Sequence, residues 1–219
     1  MIYGNKEGIR DSVLAQLETL YDLDLTGEIF APAELLDVLA AFTCAINREI
    51  SIYVSRSGAI LDITIGGLNS VDLKDMHLRR NTRRLSMIRC IHTHPGGNPQ
   101  LSDVDISSLR SMKFDAMAAV GAKDGKATGI QAAFLGEIVG GVNKVFMTDI
   151  TPVKKIPQRA WMDAIERADS EVMIGASSST QEEKERAYLV GLDSERSLEE
   201  LARLADTAGA VVVGAMLQK

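Results

Sequence analysis

The 219-residue chain has little of what marks secreted or membrane proteins. It contains two cysteines, Cys44 and Cys90, too few for a disulfide framework, so a reducing cytoplasm is the expected compartment. No apolar run approaches the roughly 18 residues that a membrane span needs. The first residues lack the basic-then-apolar layout of a secretory signal. We therefore expect a cytoplasmic protein that has no membrane partner.

Basic residues are also in the minority. The chain has 24 lysines and arginines against 30 acidic residues, a net charge of −6, which argues against nucleic-acid binding by the whole protein. One local exception is an arginine run that contains no acid: Arg79, Arg80, Arg83, Arg84 and Arg89. The simpler explanation of this run is that the arginines lie on a solvated face or form local ion pairs. The more specific explanation is that they contact ribosomal RNA or an acidic peptide. No aromatic residue interleaves with the run, so a pure RNA-binding adaptor ranks last.

Alternating helix and strand patterns indicate the α/β class. Apolar residues at helical spacing predict helices over 6–21, 32–47, 102–112, 160–172 and 197–207. Ser197 and Glu200 form a predicted capping box at the start of the last helix. Strand patterns cover 50–54, 60–65, 85–93, 114–120, 129–135, 145–149, 187–192 and 210–217, with a glycine-rich break over 136–141.

These patterns divide the chain into three parts. Residues 1–174 are expected to form a sheet flanked by helices, and residues 175–186 are expected to form a polar linker. Residues 187–219 read as a β-α-β fragment that has little to pack against. We therefore expect the sequence to be a piece of a longer protein.

Two of the three histidines stand together in the segment 91–95, Ile-His-Thr-His-Pro. Positions i and i+2 of a strand point to the same face, so His92 and His94 can hold one ion from one side. Seven residues later, the segment 102–105 opens a helix whose start can fold back and offer the carboxylate of Asp105. Two imidazoles and one carboxylate suit zinc and leave a fourth position for water. Zinc in such a site lowers the pKa of water and polarises a carbonyl group.

Each half of this pattern also has an ordinary structural explanation. Ser-x-x-Asp before an apolar run is most often a helix cap, and His-x-His also occurs in plain strand packing. The two halves together, separated by the turn formers of 96–99, favour a metal site. Cys90 lies two residues before His92 on the same face. It is either a packing thiol or a fourth ligand that would close the site.

The complete pattern, His-x-His-Pro followed by Ser-x-x-Asp, resembles the motif of JAMM (MPN+) metalloproteases. The resemblance covers about residues 32–150 and implies a mixed sheet flanked by helices and a zinc-dependent hydrolase of peptide or isopeptide bonds. It implies that Glu49, where the second helix gives way to the first hairpin, is the general acid/base, and that Ser102 helps to hold the developing oxyanion. Without the resemblance, Glu49 is a solvated carboxylate at a strand start. The alternative function is a non-catalytic regulatory or docking module that holds a structural metal.

A second resemblance extends along the whole chain. Residues 185–193, 197–205 and 209–214 resemble the opening of the N-terminal domain of HflX-type GTPases. Residues 3–10 and 89–95 resemble the long leader that some bacterial members carry ahead of that domain. The implied full-length protein is a cytoplasmic, ribosome-associated GTP-binding protein. Its G domain, which would hold GTP and Mg²⁺, lies outside this sequence.

The segment Gly121–Thr128 is not a phosphate loop, although its glycines and Lys126 suggest one. Its glycine spacing is one residue short, and Ala127 stands where a serine or threonine must bind Mg²⁺. We expect a hairpin turn there and no binding of GTP by this chain.

Overall fold

The computed structural model divides the chain into two units, residues 1–177 and residues 178–219. The residues it describes are 1–25, 28–66, 84–178, 186–191, 194–207 and 210–217. Helices and strands alternate along the chain, so the predicted α/β class is confirmed. Within the described residues, no helix has the length and apolarity that crossing a membrane requires.

A seven-stranded mixed sheet forms the centre of the first unit, in the order β1-β3-β2-β4-β5-β6-β7. Its strands are β1 (Ile2–Gly4), β2 (Ile50–Ser55), β3 (Ile60–Ile65), β4 (Ile88–Pro95), β5 (Ala116–Lys123), β6 (Lys126–Val139) and β7 (Val142–Met147). The pairs β1–β3 and β4–β5 are parallel, and the other pairs are antiparallel. Strand β4 is therefore central, between β2 and β5, and its last residues lie midway along one end of the sheet.

Within the described residues, four α-helices accompany this sheet: α1 (Asp11–Glu18), α2 (Ala33–Ile46), α3 (Asp103–Met112) and α4 (Gln158–Ser178). Alternate strand residues face two apolar clusters, as period-two strands require. Ile52 and Ile91 join the cluster that includes the buried leucines of α2. Tyr53 and Cys90 join the other cluster, which includes Leu109 of α3. The residues of β4 that follow Cys90 at alternate positions therefore point to the α3 side.

The N-terminal prediction was wrong in two respects. The helix expected over 6–21 begins only at Asp11 and ends in a short 3-10 helix, Thr19–Asp22. Residues 5–8 form a turn instead, in which the Asn5 side chain accepts from the N–H of Glu7 and Gly8 has φ 75°. Strand β1 was missed because it is three residues long and pairs with β3, about sixty positions away.

Other boundaries moved because strand pairing outweighs local composition. The glycine-rich break expected at 136–141 is wrong, since β6 runs through Gly136 to Val139 and turns only at Gly140 and Gly141. Strand β4 begins at Ile88 instead of residue 85. Helix α4 continues to Ser178, into the segment expected to be a linker, and residues 179–185 lie outside the described residues.

The second unit contains two parallel strands, β8 (Arg186–Gly191) and β9 (Val211–Leu217), joined through helix α5 (Glu195–Thr207). Leu198 of α5 packs closely on Gly191 of β8. A Cβ added to Gly191 would lie 2.8 Å from the Cγ of Leu198. Helix α5 begins at Glu195, and the hydroxyl of Ser194 accepts from the N–H of Ser197. The predicted start at Ser197, with its capping box, was therefore wrong.

Candidate metal centre

The two histidines of β4 point to the same face, and their rings converge. The Nε2 atoms of His92 and His94 lie 2.9 Å apart. The His92 side chain is 1% exposed and that of His94 is 19% exposed. The pair therefore forms a niche that is closed on its inner side and open towards solvent at His94.

Helix α3 brings the third member of the group. Ser102 is the N-cap of α3, and its side chain and that of Asp105 form a reciprocal capping box. This cap uses Asp105 Oδ2, which accepts from the N–H (2.8 Å) and the hydroxyl (2.7 Å) of Ser102. The other oxygen, Oδ1, lies 3.3 Å from His92 Nε2, and Oδ2 lies 3.9 Å from His94 Nε2. The capping box thus directs the carboxylate at the two imidazoles.

Three hydrogen bonds fix the loop between His94 and Ser102. His94 Nδ1 lies 3.0 Å from the carbonyl oxygen of Asn98, which leaves Nε2 facing Asp105. The hydroxyl of Thr128 donates to the carbonyl of Gly97 (2.7 Å). The N–H of Leu101 donates to Gln131 Oε1 (2.9 Å). Two side chains of β6 therefore help to set the path of the loop.

The geometry of the three side chains fits a small cation. One ligand atom from each of His92, His94 and Asp105 can be chosen so that all lie within 4.8 Å of one another. A tetrahedral zinc ion with bonds of about 2.0–2.1 Å separates its ligand atoms by about 3.3 Å. The two Nε2 atoms lie 2.9 Å apart, His92 Nε2 lies 3.3 Å from Asp105 Oδ1, and His94 Nε2 lies 3.9 Å from Asp105 Oδ2, all close to that separation. This group could bind a metal ion.

The group supplies three protein ligands, one fewer than a four-coordinate zinc ion takes. In the described part of the chain, no fourth histidine, cysteine or carboxylate belongs to the group. Cys90 is fully buried in the apolar cluster with Tyr53 and Met117. Burial raises the pKa of its thiol, which keeps it protonated and a poor metal ligand. Three protein ligands and one open position are typical of a catalytic zinc site, whereas structural sites are closed.

Charge within the group favours the forms that bind metals. Burial alone would raise the pKa of the Asp105 carboxyl. Hydrogen bonds from His92 and Ser102, together with the His92 charge, nevertheless hold that pKa well below its ordinary value. Burial and the neighbouring His92 lower the pKa of His94, which favours its neutral imidazole. The group therefore offers a carboxylate and an uncharged imidazole at neutral pH.

Glu49 lies beside the group without belonging to it. Helix α2 ends at Asn47, which has φ 51°, and the chain then enters β2. Strand β2 pairs with β4 in a register that sets Ser51 opposite His92. Glu49 lies just before β2, and a continuation of that register by two residues would place it opposite His94. Glu49 is half-buried, and its charge acts on His94 in the direction that raises the pKa of that imidazole.

Two threonines that the sequence analysis missed hold this junction. The hydroxyl of Thr93 accepts from the N–H of Ile50 (2.9 Å) and lies 3.2 Å from the carbonyl of the same residue. It also lies 2.5 Å from the hydroxyl of Thr43 on α2. Both threonines are fully buried. The sequence signal for this contact was Thr43, a polar residue on the buried face of α2. Its partner Thr93 is fifty residues away, so no local pattern connects the two.

Where the structure describes them, the remaining sequence signals do not belong to the metal group. Arg79, Arg80 and Arg83 lie outside the described residues. Arg89 is 1% exposed and donates to the carbonyl of Ile29 (3.1 Å), so the solvated face favoured for it was wrong. Gly121–Thr128 spans a β-hairpin that joins β5 and β6, as expected.

In comparisons with known proteins, no family model matched the chain, and no curated protein sequence matched it either.

Proposed function

We propose that the first unit is a zinc-dependent hydrolase of peptide or isopeptide bonds, of the JAMM type. The observation that carries the proposal is the grouping of His92, His94 and Asp105, in which one ligand atom from each side chain lies within 4.8 Å of the other two. Two imidazoles and one carboxylate with an open fourth position form the ligand set of zinc hydrolases. The half-buried carboxylate of Glu49, opposite His94 in the extended register, supports a catalytic role over a structural one.

Each residue has a definite task in this proposal. Zinc, when bound, lowers the pKa of water and polarises the carbonyl of the bond to be cleaved. Glu49 takes a proton from the attacking water and gives it to the leaving amine. Ser102 donates its hydroxyl hydrogen to Asp105 Oδ2 in this structure. It would turn that hydrogen towards the oxyanion as negative charge develops on the substrate.

The first test is metal content. The purified protein is expected to hold about one equivalent of zinc, because its donors match that ion's preferences. His92→Ala and Asp105→Ala are expected to abolish zinc binding. Elemental mass spectrometry on all three proteins, before and after zinc is added back, measures this. A wild-type protein that stays free of zinc after addition contradicts the proposal.

The second test separates a hydrolase from a docking module. Glu49→Gln keeps the shape of the side chain but cannot accept a proton. The variant is expected to keep zinc and fold while hydrolysis falls by about 10²–10⁴-fold. Glu166→Gln, an exposed position on α4, is the matched control and should cleave as the wild type does. Peptide libraries and isopeptide-linked substrates supply the assay.

The two remaining outcomes have different meanings. Equal cleavage by wild type and Glu49→Gln removes Glu49 from the mechanism. A zinc-loaded wild type that cleaves neither substrate class favours a non-catalytic docking module.

We further propose that the chain is the front part of a ribosome-associated, HflX-type GTPase. The support is the resemblance along the chain, together with the parallel strands β8 and β9 joined by α5. An antibody against this chain is then expected to detect, in the source cells, a protein much larger than 23.7 kDa that sediments with ribosomes. A band at the mass of the chain alone, absent from ribosome fractions, contradicts this.

A further inference from the structure

The three candidate ligands differ in the hydrogen bonds that hold their side chains in place. His94 Nδ1 has the carbonyl of Asn98 as its partner, and Asp105 Oδ2 has two donors from Ser102. His92 Nδ1 is buried and has no hydrogen-bond partner among the residues that the structure describes. Because Nε2 of His92 faces the other ligand atoms, Nδ1 must carry the ring proton when Nε2 binds a metal. Metal-binding histidines almost always donate that second N–H to an acceptor.

Two hydroxyl groups without partners lie next to His92 in the sheet. Ser51 of β2 is directly opposite His92, and Thr64 of β3 is directly opposite Ser51. Residues paired in this way point to the same face, with Cβ atoms about 4.5–5.5 Å apart. Ser51 Oγ and Thr64 Oγ1 are both buried, and neither has a hydrogen-bond partner within the described part of the chain. Three unpartnered polar atoms thus stand in one row across three adjacent strands.

Ordinary packing does not account for this row. A buried hydroxyl without a partner is costly, and the Ser51 and Thr64 residues are both 0% exposed. A hydroxyl can accept one hydrogen bond and donate another at the same time. Rotation of two side chains about their Cα–Cβ bonds could therefore give all three atoms a partner.

We propose that Ser51 and Thr64 are positioning residues that hold His92 in its Nδ1–H tautomer. His92 Nδ1–H donates to Ser51 Oγ, and the Ser51 hydroxyl donates to Thr64 Oγ1. The lone pair of Nε2 is then fixed towards His94 and Asp105, ready for the ion. This inference rests on the metal-binding part of the proposed function and assigns a role to two residues that do not touch the ion.

The test measures zinc affinity and the histidine tautomer. Zinc affinity is obtained by competition with a chromophoric chelator, and the tautomer comes from long-range ¹⁵N–¹H spectra of the zinc-loaded protein. Ser51→Ala is expected to weaken zinc binding about 10–100-fold, the usual effect of removing an outer partner. It should also speed the exchange of the His92 Nδ1 proton with solvent. Ser55→Ala, on the same strand but outside the row, is the control.

Thr64 offers a matched pair of variants. Thr64→Val keeps the shape and removes the hydroxyl, whereas Thr64→Ser keeps the hydroxyl and removes the methyl group. Thr64→Val is expected to weaken zinc binding by several-fold, and Thr64→Ser should bind zinc within about twofold of the wild type. If Ser51→Ala does not fold, this pair still decides the question, because packing loss alone would make Thr64→Ser the weaker binder.

The outcomes separate this inference from the metal site itself. A wild type that binds no zinc overturns both. A wild type that binds zinc through His92 Nδ1, or Ser51→Ala with unchanged affinity and an unchanged Nδ1 proton, overturns only the role of Ser51 and Thr64.

Discussion

Gly121 provides the sharpest test of how the metal group is positioned. It lies on β5 directly beside His94 of β4. A Cβ at this position would lie 2.4 Å from the carbonyl oxygen of Gly97 and 2.3 Å from the hydroxyl of Thr128. Gly97 belongs to the loop between His94 and Ser102. The backbone of that loop therefore rests on a strand surface that only glycine leaves free.

The expected effect of Gly121→Ala follows from these distances. Reaching an ordinary carbon–oxygen contact requires the loop to move by about 1 Å. Overpacking of this kind costs about 1–3 kcal/mol of unfolding free energy. The displaced loop carries Asn98, whose carbonyl oxygen is the partner of His94 Nδ1. We expect zinc affinity to fall about 10–100-fold as the orientation of His94 is lost.

The assay compares Gly121→Ala with Gly125→Ala in the same hairpin. Gly125 has φ 74°, and a Cβ there would meet nothing within 4 Å. Alanine at that position costs about 1–2 kcal/mol of backbone strain without touching the loop. Urea unfolding and zinc competition are measured on both variants. If they lose similar stability and both bind zinc as the wild type does, the loop does not position His94 and the reasoning is wrong.

Two further predictions concern the far end of the sheet and the hairpin. Arg56 forms ion pairs with Asp115 and with Asp169 (3.0 Å). Burial would raise the pKa of Asp169, but the hydrogen bond and the charge of Arg56 outweigh burial and lower that pKa. Because the pKa of Asp169 is lower in the folded than in the unfolded protein, its charge stabilises the fold at pH values above the unfolded pKa. Asp169→Asn should therefore lower the unfolding free energy by about 1–3 kcal/mol at pH 7. The difference in unfolding free energy between the wild type and Asp169→Asn should shrink as the pH falls below about 4. Urea unfolding that shows the same difference at pH 3 as at pH 7 contradicts this. Calorimetry should detect no GTP binding, since the glycine-containing segment is a hairpin, and micromolar affinity would overturn that prediction.

Local periodicity was sufficient for the elements that signal themselves within a short window. The hairpin of β2 and β3 and the helices α2 and α3 fell close to their predicted ranges because apolar spacing and caps are local. Strand β1 could not be found this way, since a three-residue edge strand is defined by its distant partner β3. Gly136 did not end β6 because pairing with β7 resumes beyond a bulge.

The residues of the candidate site also differ in whether a local sequence pattern or a distant strand pairing positions them. The arrangement of His92, His94 and Asp105 depends on strand alternation and on one short loop, both of which can be read from sequence. The position of Glu49 depends on the register of β2 against β4, so only a family resemblance pointed to it. Ser51 and Thr64 carry a weak signal, as polar residues within apolar strands, and no local pattern reveals that they share a row with His92.

The burial of Asp105 bears on the two explanations of Ser-x-x-Asp. A helix cap needs one carboxylate oxygen near the first turn, and the cap gains nothing from removing that carboxylate from water. Asp105 is 4% exposed, and its Oδ1 faces His92 Nε2 while Oδ2 completes the cap. Cap and ligand are therefore compatible, since Oδ1 faces His92 and is not used by the cap. The cap fixes the rotamer and the negative charge in advance, which lowers the cost of assembling the site when a cation binds. A cap alone does not explain a carboxylate buried against two imidazoles: the His92 ring pairs with Asp105 Oδ1, and the same group could hold a cation.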